Sequence, residues 1–78
     1  MPEELPIIFS RHALIKLHQR NLRKETVIAV VERPMRVMTV GDKIHAFRKL
    51  GRLYLKVVFT RTTNSIIIIT QHWVKKLL

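Results

Sequence analysis

The chain has no cysteine, and of its 78 residues only five are acidic and two are glycine. The missing thiols remove disulfides, thiolate zinc sites and thiol nucleophiles together, and they fit a reducing compartment. The scarcity of carboxylates argues against a carboxylate-bound metal, since Asp42 falls in a turn and Glu25 and Glu32 on a helical stretch. Two isolated glycines form no phosphate-cradling loop, and neither an HExxH pair nor a nucleophile elbow is present. Apolar runs such as Ile66–Ile69 are far too short to cross a bilayer. The opening MPEELP is acidic and broken by proline, unlike a secretory signal. A soluble, cytoplasmic protein with no cofactor, no metal and no membrane partner is expected.

What is abundant is positive charge. Fifteen Lys and Arg give a formal charge of +10, and the sequence pI is near 11.3. The excess is uneven: residues 1–34 carry six basic and four acidic groups, residues 35–78 nine basic and one acidic. Such a surface attracts polyanions and holds phosphates by releasing counterions. Nucleic acid, or an acidic protein that masks its site, is the expected partner. An anionic membrane fits less well, because the cations are dispersed through strand-like segments and not gathered on one amphipathic helix.

The length allows a single domain over residues 1–78, and the apolar content of 47% is ample for a folded core. Residues 1–6 read as a flexible leader, followed by a short extended piece at Ile7–Phe9. Ser10 is placed to cap a helix from Arg11 to about Arg20, with Ala13, Leu14 and Leu17 on one face and His12, Lys16, Arg20 and Arg23 on another. Asn21 tolerates the left-handed backbone that ends a helix. A second helix, roughly Lys24–Glu32, buries Val27, Val30 and Val31 and stops before Pro34. Strands follow at Arg36–Val40, Lys43–Leu50, Leu53–Arg61 and Ile66–His72, separated by Gly41-Asp42, Gly51-Arg52 and Thr62–Asn64. Four consecutive isoleucines suggest a last strand buried on both faces. The tail from Trp73 is either a short helix or an extension of the sheet. Short turns impose antiparallel pairing, so the expected fold is α+β: two N-terminal helices on one face of a four-stranded antiparallel sheet.

One sheet face is then left uncovered. Alternation puts Leu53, Leu55, Val57 and Phe59 under the helices and Tyr54, Lys56, Val58 and Thr60 on the free face. In the preceding strand either His45 and Lys49 or Arg48 join that face. In the last strand Thr70 and His72 share one face, Gln71 and Trp73 the other. Aromatic, cationic and imidazole side chains on one platform suit single-stranded nucleic acid. They also suit RNA cleavage without a metal. A base takes the 2′-hydroxyl proton, an acid protonates the leaving 5′-oxygen, and cations stabilise the phosphorane.

The segment Ser10-Arg-His-Ala-Leu-Ile-Lys-Leu-His-Gln-Arg-Asn-Leu22 resembles the opening of a family of small uncharacterised prokaryotic domains. Its pattern is H-A-x-x-R-hydrophobic-x-x-R-G-I, then a helix ending near a proline, a g-x-l-x-V-V strand and an I-T strand. His12, Ala13, Leu17, Arg20, Leu22, Pro34, Gly51, Val57, Val58, Ile69 and Thr70 match; Lys16 stands where the family has Arg, and Asn21 where it has Gly. The family looks related to the RelE/BrnT-like toxin ribonucleases. The likeness covers residues 9–72 and implies the RelE-like fold of two helices on four antiparallel strands. It also implies an endoribonuclease of a toxin–antitoxin system, with an acidic antitoxin as partner.

Four residues are candidates for proton transfer. His12 lies in the first helical turn, where the dipole favours an uncharged imidazole; His45 and His72 lie on strands; Tyr54 can stack on a base or donate a proton. Lys16 and Arg20 on the first helix, with Arg48, Lys49, Arg52, Lys56 and Arg61 around the strands, are candidates for binding phosphates. A solvated helix stripe and a sheet edge kept soluble by charge are the bland explanations for many of these. Trp73 reads as a cap on the core. The leading expectation is a toxin-like endoribonuclease acting on free or ribosome-bound RNA. The rivals are a non-catalytic RNA- or DNA-binding module and a protein-interaction domain whose exposed isoleucine strand and amphipathic tail form a homodimer.

Overall fold

The computed structural model describes residues 5–77. The chain runs β1 (Ile7–Phe9), α1 (Arg11–Gln19), α2 (Lys24–Glu32), β2 (Arg36–Val40), β3 (Lys43–Leu50), β4 (Leu53–Arg61) and β5 (Ile66–Val74). Of the expected leader, residues 1–4 lie outside the described residues. The Pro6 carbonyl is already held, accepting the Ile66 N–H at 2.9 Å. The expected α+β class with two helices is present, but the sheet differs from the expectation. It has five strands in the order β1-β5-β4-β3-β2, and β1 pairs with β5 in parallel, Ile7 opposite Ile66 and Phe9 opposite Ile68. The sheet is therefore mixed, and β5 has neighbours on both sides over Ile66–Ile68. Over Ile66–Ile68, then, the isoleucine strand is not a free edge.

Local chemistry accounts for the boundaries. The Ser10 Oγ accepts the Ala13 N–H at 3.1 Å, which caps α1. Asn21 ends α1 with a φ of 54°. Gly41 and Gly51, at φ 63° and 70°, each occupy the first central position of a two-residue hairpin, followed by a residue of negative φ. That is the arrangement of a type II′ turn, whose twist matches the flanking strands. The third turn is held by the Thr62 hydroxyl oxygen, which accepts the N–H groups of Asn64 at 3.2 Å and Ser65 at 2.9 Å. Trp73 and Val74 continue β5, so the start of the tail belongs to the sheet.

The core lies between the helices and one sheet face. Ala13 and Leu17 of α1 and Val27 and Val30 of α2 pack on Ala46, Leu55, Val57, Phe59 and Ile68. Leu14, expected beside them, is exposed, while Val31 and Trp73 are partly buried against the cluster. Gln71 is fully buried in the same layer; its Nε2 donates to the Ala13 carbonyl at 2.9 Å, while its Oε1 has no partner.

A bulge in β5 decides what faces where. Val58 pairs with Thr70 and Phe59 with Ile68, leaving Ile69 as the extra residue. Without it, strict alternation would place Ile66, Ile68, Thr70 and His72 on one face. With it, Ile68 enters the core while Thr70 and His72 turn to the opposite face. Ser10 pins this bulge: its N–H donates to the Ile68 carbonyl at 2.9 Å, and its hydroxyl donates to the Ile69 carbonyl at 3.0 Å. The isoleucine run is thus split by its own backbone, and of its four members only Ile68 is fully buried.

Two stability outcomes follow. Ser10→Ala removes a helix cap and the bulge anchor together and should cost about 2 kcal/mol in urea unfolding. A loss within a few tenths of a kcal/mol would show that the bulge holds without Ser10. Gln71→Met, close in volume, relieves the unpartnered buried oxygen and should raise stability by about 1 kcal/mol. A fall in Tm would show instead that the bond to Ala13 outweighs it.

Candidate nucleic-acid interface

The face away from the helices can be built strand by strand from the pairing, because cross-strand partners share a face. One row across the sheet is Arg36, Phe47, Lys56 and His72; the next is Met38, His45, Val58 and Thr70. Lys49, Tyr54 and Val74 form a third row, and Lys43 shares the face by alternation with His45. Phe47 and Val58 are buried on this side at 1% and 7% exposure and make an apolar floor outside the helix-side core. The Lys56 Nζ lies 6.0 Å from the Phe47 ring centroid, so the ammonium leans over the floor toward β3.

The parity left open for β3 is settled in favour of His45 and Lys49. Arg48 points to the helix side, where its guanidinium donates to the Arg33 carbonyl at 2.8 Å. That is a bond that ties the end of α2 to β3. Of the candidate residues, the fold brings His45, His72, Tyr54, Lys49 and Lys56 together. Arg20, the C-cap of α1, stands near enough for its charge to act on His72. The other candidates are dispersed. His12 is exposed in the first turn of α1, and Lys16 is half-buried on the same helix, both in the layer across the sheet. Arg52 sits in the β3–β4 turn, and Arg61 ends β4 opposite Ile66.

Two cations on this face, Arg36 and Lys43, are not among the residues that the sequence pattern singles out. Both lie at strand starts beside turn signals, where charge reads as solubilising, and only the register reveals which face they take. Among the described residues no acidic side chain is on the strands of this face: Glu25 and Glu32 are on α2 and Asp42 is in the β2–β3 turn. Among the described residues a single ion pair forms, Lys43 to Asp42 at 3.5 Å, with both side chains largely exposed. Its contribution is small. Among those residues, no three His, Cys, Asp or Glu side chains converge as metal ligands, and no helix is long and apolar enough to cross a membrane. A shallow depression of about 400 Å³ between the starts of β1 and β5 and the end of α2, lined by Leu5, Ile7, Val31 and Ile66 among others, lies away from this face.

Electrostatics single out the two histidines. Burial lowers the His72 pKa below the ordinary 6.5, with further lowering from the charges of Lys56, Arg20 and His45. Burial also lowers His45, followed by Lys56 and Lys43. Both rings are therefore predominantly neutral at pH 7, the form that accepts a proton, and Lys56 is the positive charge that acts on both. Comparison with protein families, with curated proteins and with solved structures finds no match for this chain. The likeness to toxin ribonucleases rests on the quoted residues alone.

The shifts give a direct outcome. In an NMR titration both imidazoles should change protonation below pH 6.5, and Lys56→Gln should move both midpoints upward, because it removes a repelling charge common to the two. Midpoints unmoved by Lys56→Gln would remove Lys56 from the cluster.

Proposed function

We propose that the chain is a toxin-like, metal-independent endoribonuclease that binds single-stranded RNA on the uncovered sheet face. The observation that supports it is the grouping of His45, Lys56 and His72 on a sheet face whose strands, among the described residues, carry no acid. In this scheme one neutral histidine removes the 2′-hydroxyl proton. The 2′-oxygen attacks the adjacent phosphorus, the bond to the 5′-oxygen breaks, and the other imidazole, protonated, gives that oxygen its proton. The products are a 2′,3′-cyclic phosphate and a 5′-hydroxyl. Lys56 stabilises the charge that gathers on the phosphorane.

Substrate itself prepares the acid. A phosphate bound at Lys56 offsets the repulsion that depresses the histidines, so protonation becomes easier in the complex than in the free protein. Tyr54, two residues along β4 on the same face, would stack on a base beside the scissile bond. His12, in the other layer, has no part in this scheme. An acidic antitoxin would silence the activity by covering the same cationic face.

A non-catalytic binding module is the second reading, favoured by the spread of Arg36, Lys43 and Lys49 beyond the histidines. End-mapped cleavage of a mixed-sequence RNA in EDTA, with and without translating ribosomes, separates the two. Discrete products with cyclic phosphate ends, reduced about 100-fold or more by His45→Ala or His72→Ala, are expected. The optimum of kcat/KM should lie below about pH 6.5, since that ratio reports the free protein, and the optimum of kcat should lie higher. Intact RNA under both conditions, together with salt-sensitive retention on a gel, would leave the binding module.

A further inference from the structure

Along the strands, the sheet face is charged unevenly on the two sides of the row that holds Lys56 and His72. Toward the Gly41-Asp42 turn the next same-face residues on β4 and β5 are Val58 and Thr70, then Thr60 and Ile67, all uncharged. The cation at that end of the face, Lys43, already has a carboxylate beside it, that of Asp42 at 3.5 Å. Toward the Gly51-Arg52 turn the next row is Lys49, Tyr54 and Val74. Val74 ends β5, so Lys75 and Lys76 leave the sheet one and two residues beyond the Tyr54–Val74 pair. Arg52 lies two residues beyond the same pair, in the β3–β4 turn. Strand pairing thus collects four cations, Lys49, Arg52, Lys75 and Lys76, around one end of the sheet. All four are exposed, and among the described residues none has an ion-pair partner. Like charges gathered in this way repel one another, and a chain of phosphates is the ligand that offsets the repulsion.

We infer that Lys49, Arg52, Lys75 and Lys76 form a second phosphate-binding site, which holds the single-stranded RNA where it leaves the histidines past Tyr54. The inference deepens the ribonuclease reading and rests on it for the choice of RNA. Lys56 and Arg52 are four positions apart, about 13 Å along an extended strand. Tyr54 lies midway, so a base stacked on its ring sits between a phosphate at Lys56 and the phosphates at the turn. A flank of substrate that runs toward the Gly41-Asp42 turn meets uncharged side chains and the Lys43–Asp42 pair, and gains no comparable anchor. The strand is therefore held from one side. The four cations are positioning residues, which act on binding and not on the reacting atoms.

Binding of a 2′-O-methyl octauridylate, which lacks the attacking hydroxyl, tests the site by fluorescence anisotropy between about 50 and 200 mM salt. Lys75→Gln combined with Lys76→Gln should weaken the log–log salt slope by about 1.4, at about 0.7 for each lost contact. With the two lines meeting at about 1 M salt, affinity at 50 mM should fall about 60-fold. Arg52→Gln alone should weaken the slope by about 0.7. Lys43→Gln combined with Arg61→Gln removes two charges at the opposite end of the sheet and should leave the slope in place. In RNA cleavage, the Lys75 and Lys76 double variant should raise KM and leave kcat unchanged. Equal slope losses in the two double variants would overturn the site in favour of diffuse attraction. A slope unmoved by the loss of Lys75 and Lys76 would overturn it as well. The two ideas fail separately. Slopes that behave as expected beside uncleaved RNA uphold the site and sink the enzyme; cleaved RNA, with the slope and KM of the Lys75 and Lys76 double variant equal to wild type, does the reverse.

Discussion

The bulge at Ile69, held by the Ser10 hydroxyl, is the constraint from which the two faces of this sheet follow. A strand with period two cannot send Ile68 into a core and His72 to the opposite face, because the two are an even number apart. One extra residue changes the parity, and a backbone carbonyl with a hydroxyl donor keeps it in place. The same hydroxyl oxygen caps α1, so the helix start, the bulge and the orientation of His72 share one side chain. The cation–histidine cluster therefore depends on an interaction on the far side of the strand.

The cluster stands in a field that works against it. Lys43, Lys56 and Arg20 all oppose protonation of the imidazoles, and the chain carries few carboxylates to neutralise them. Self-repulsion of this kind lowers the stability of a compact state, and a chain this short has a small core with which to resist it. Under the proposed function, a bound polyanion would offset the repulsion and raise the histidine pKa values together. In that reading affinity, stability and protonation would be coupled through the local positive charge, of which Lys56 is the part common to both histidines. The buried Phe47 and Val58 beneath it supply a rigid floor, so that the coupling acts between groups held by packed strands and not by a loop.

Much of the architecture is legible in the order of the residues. The Ser10 cap, the Asn21 stop, the second helix from Lys24 to Glu32 and the two glycine hairpins all rest on short-range chemistry: a hydroxyl within reach of the first helical turn, or a residue that accepts positive φ. The inward set on β4, from Leu53 to Phe59, rests on alternation alone. The parallel pairing of β1 is not legible in that way, because three residues carry no period and their partners lie 59 positions further on. Leu14 shows the limit of a helical wheel. It stands beside the apolar stripe, yet the residues that the short helix buries against the sheet are Ala13 and Leu17. Among the site residues, Lys56 and Tyr54 follow from parity within one strand, whereas the face of His72 depends on the Ile69 bulge. Arg48 and Arg36 do not follow from parity either, since their faces depend on the register of neighbours.

Composition and local pattern were enough to determine a basic α+β domain with two helices, hairpin-linked strands and an uncovered face rich in cations. These depend on charge count, backbone permissiveness and side-chain period, all properties of residues and their near neighbours. Tertiary structure alone decided that β1 closes the sheet in parallel, that Ile69 is bulged, and that His45, Lys56 and His72 meet while His12 and Arg48 stand apart. Those outcomes depend on which distant backbone groups find each other, and one residue of register is enough to send a side chain to the other face.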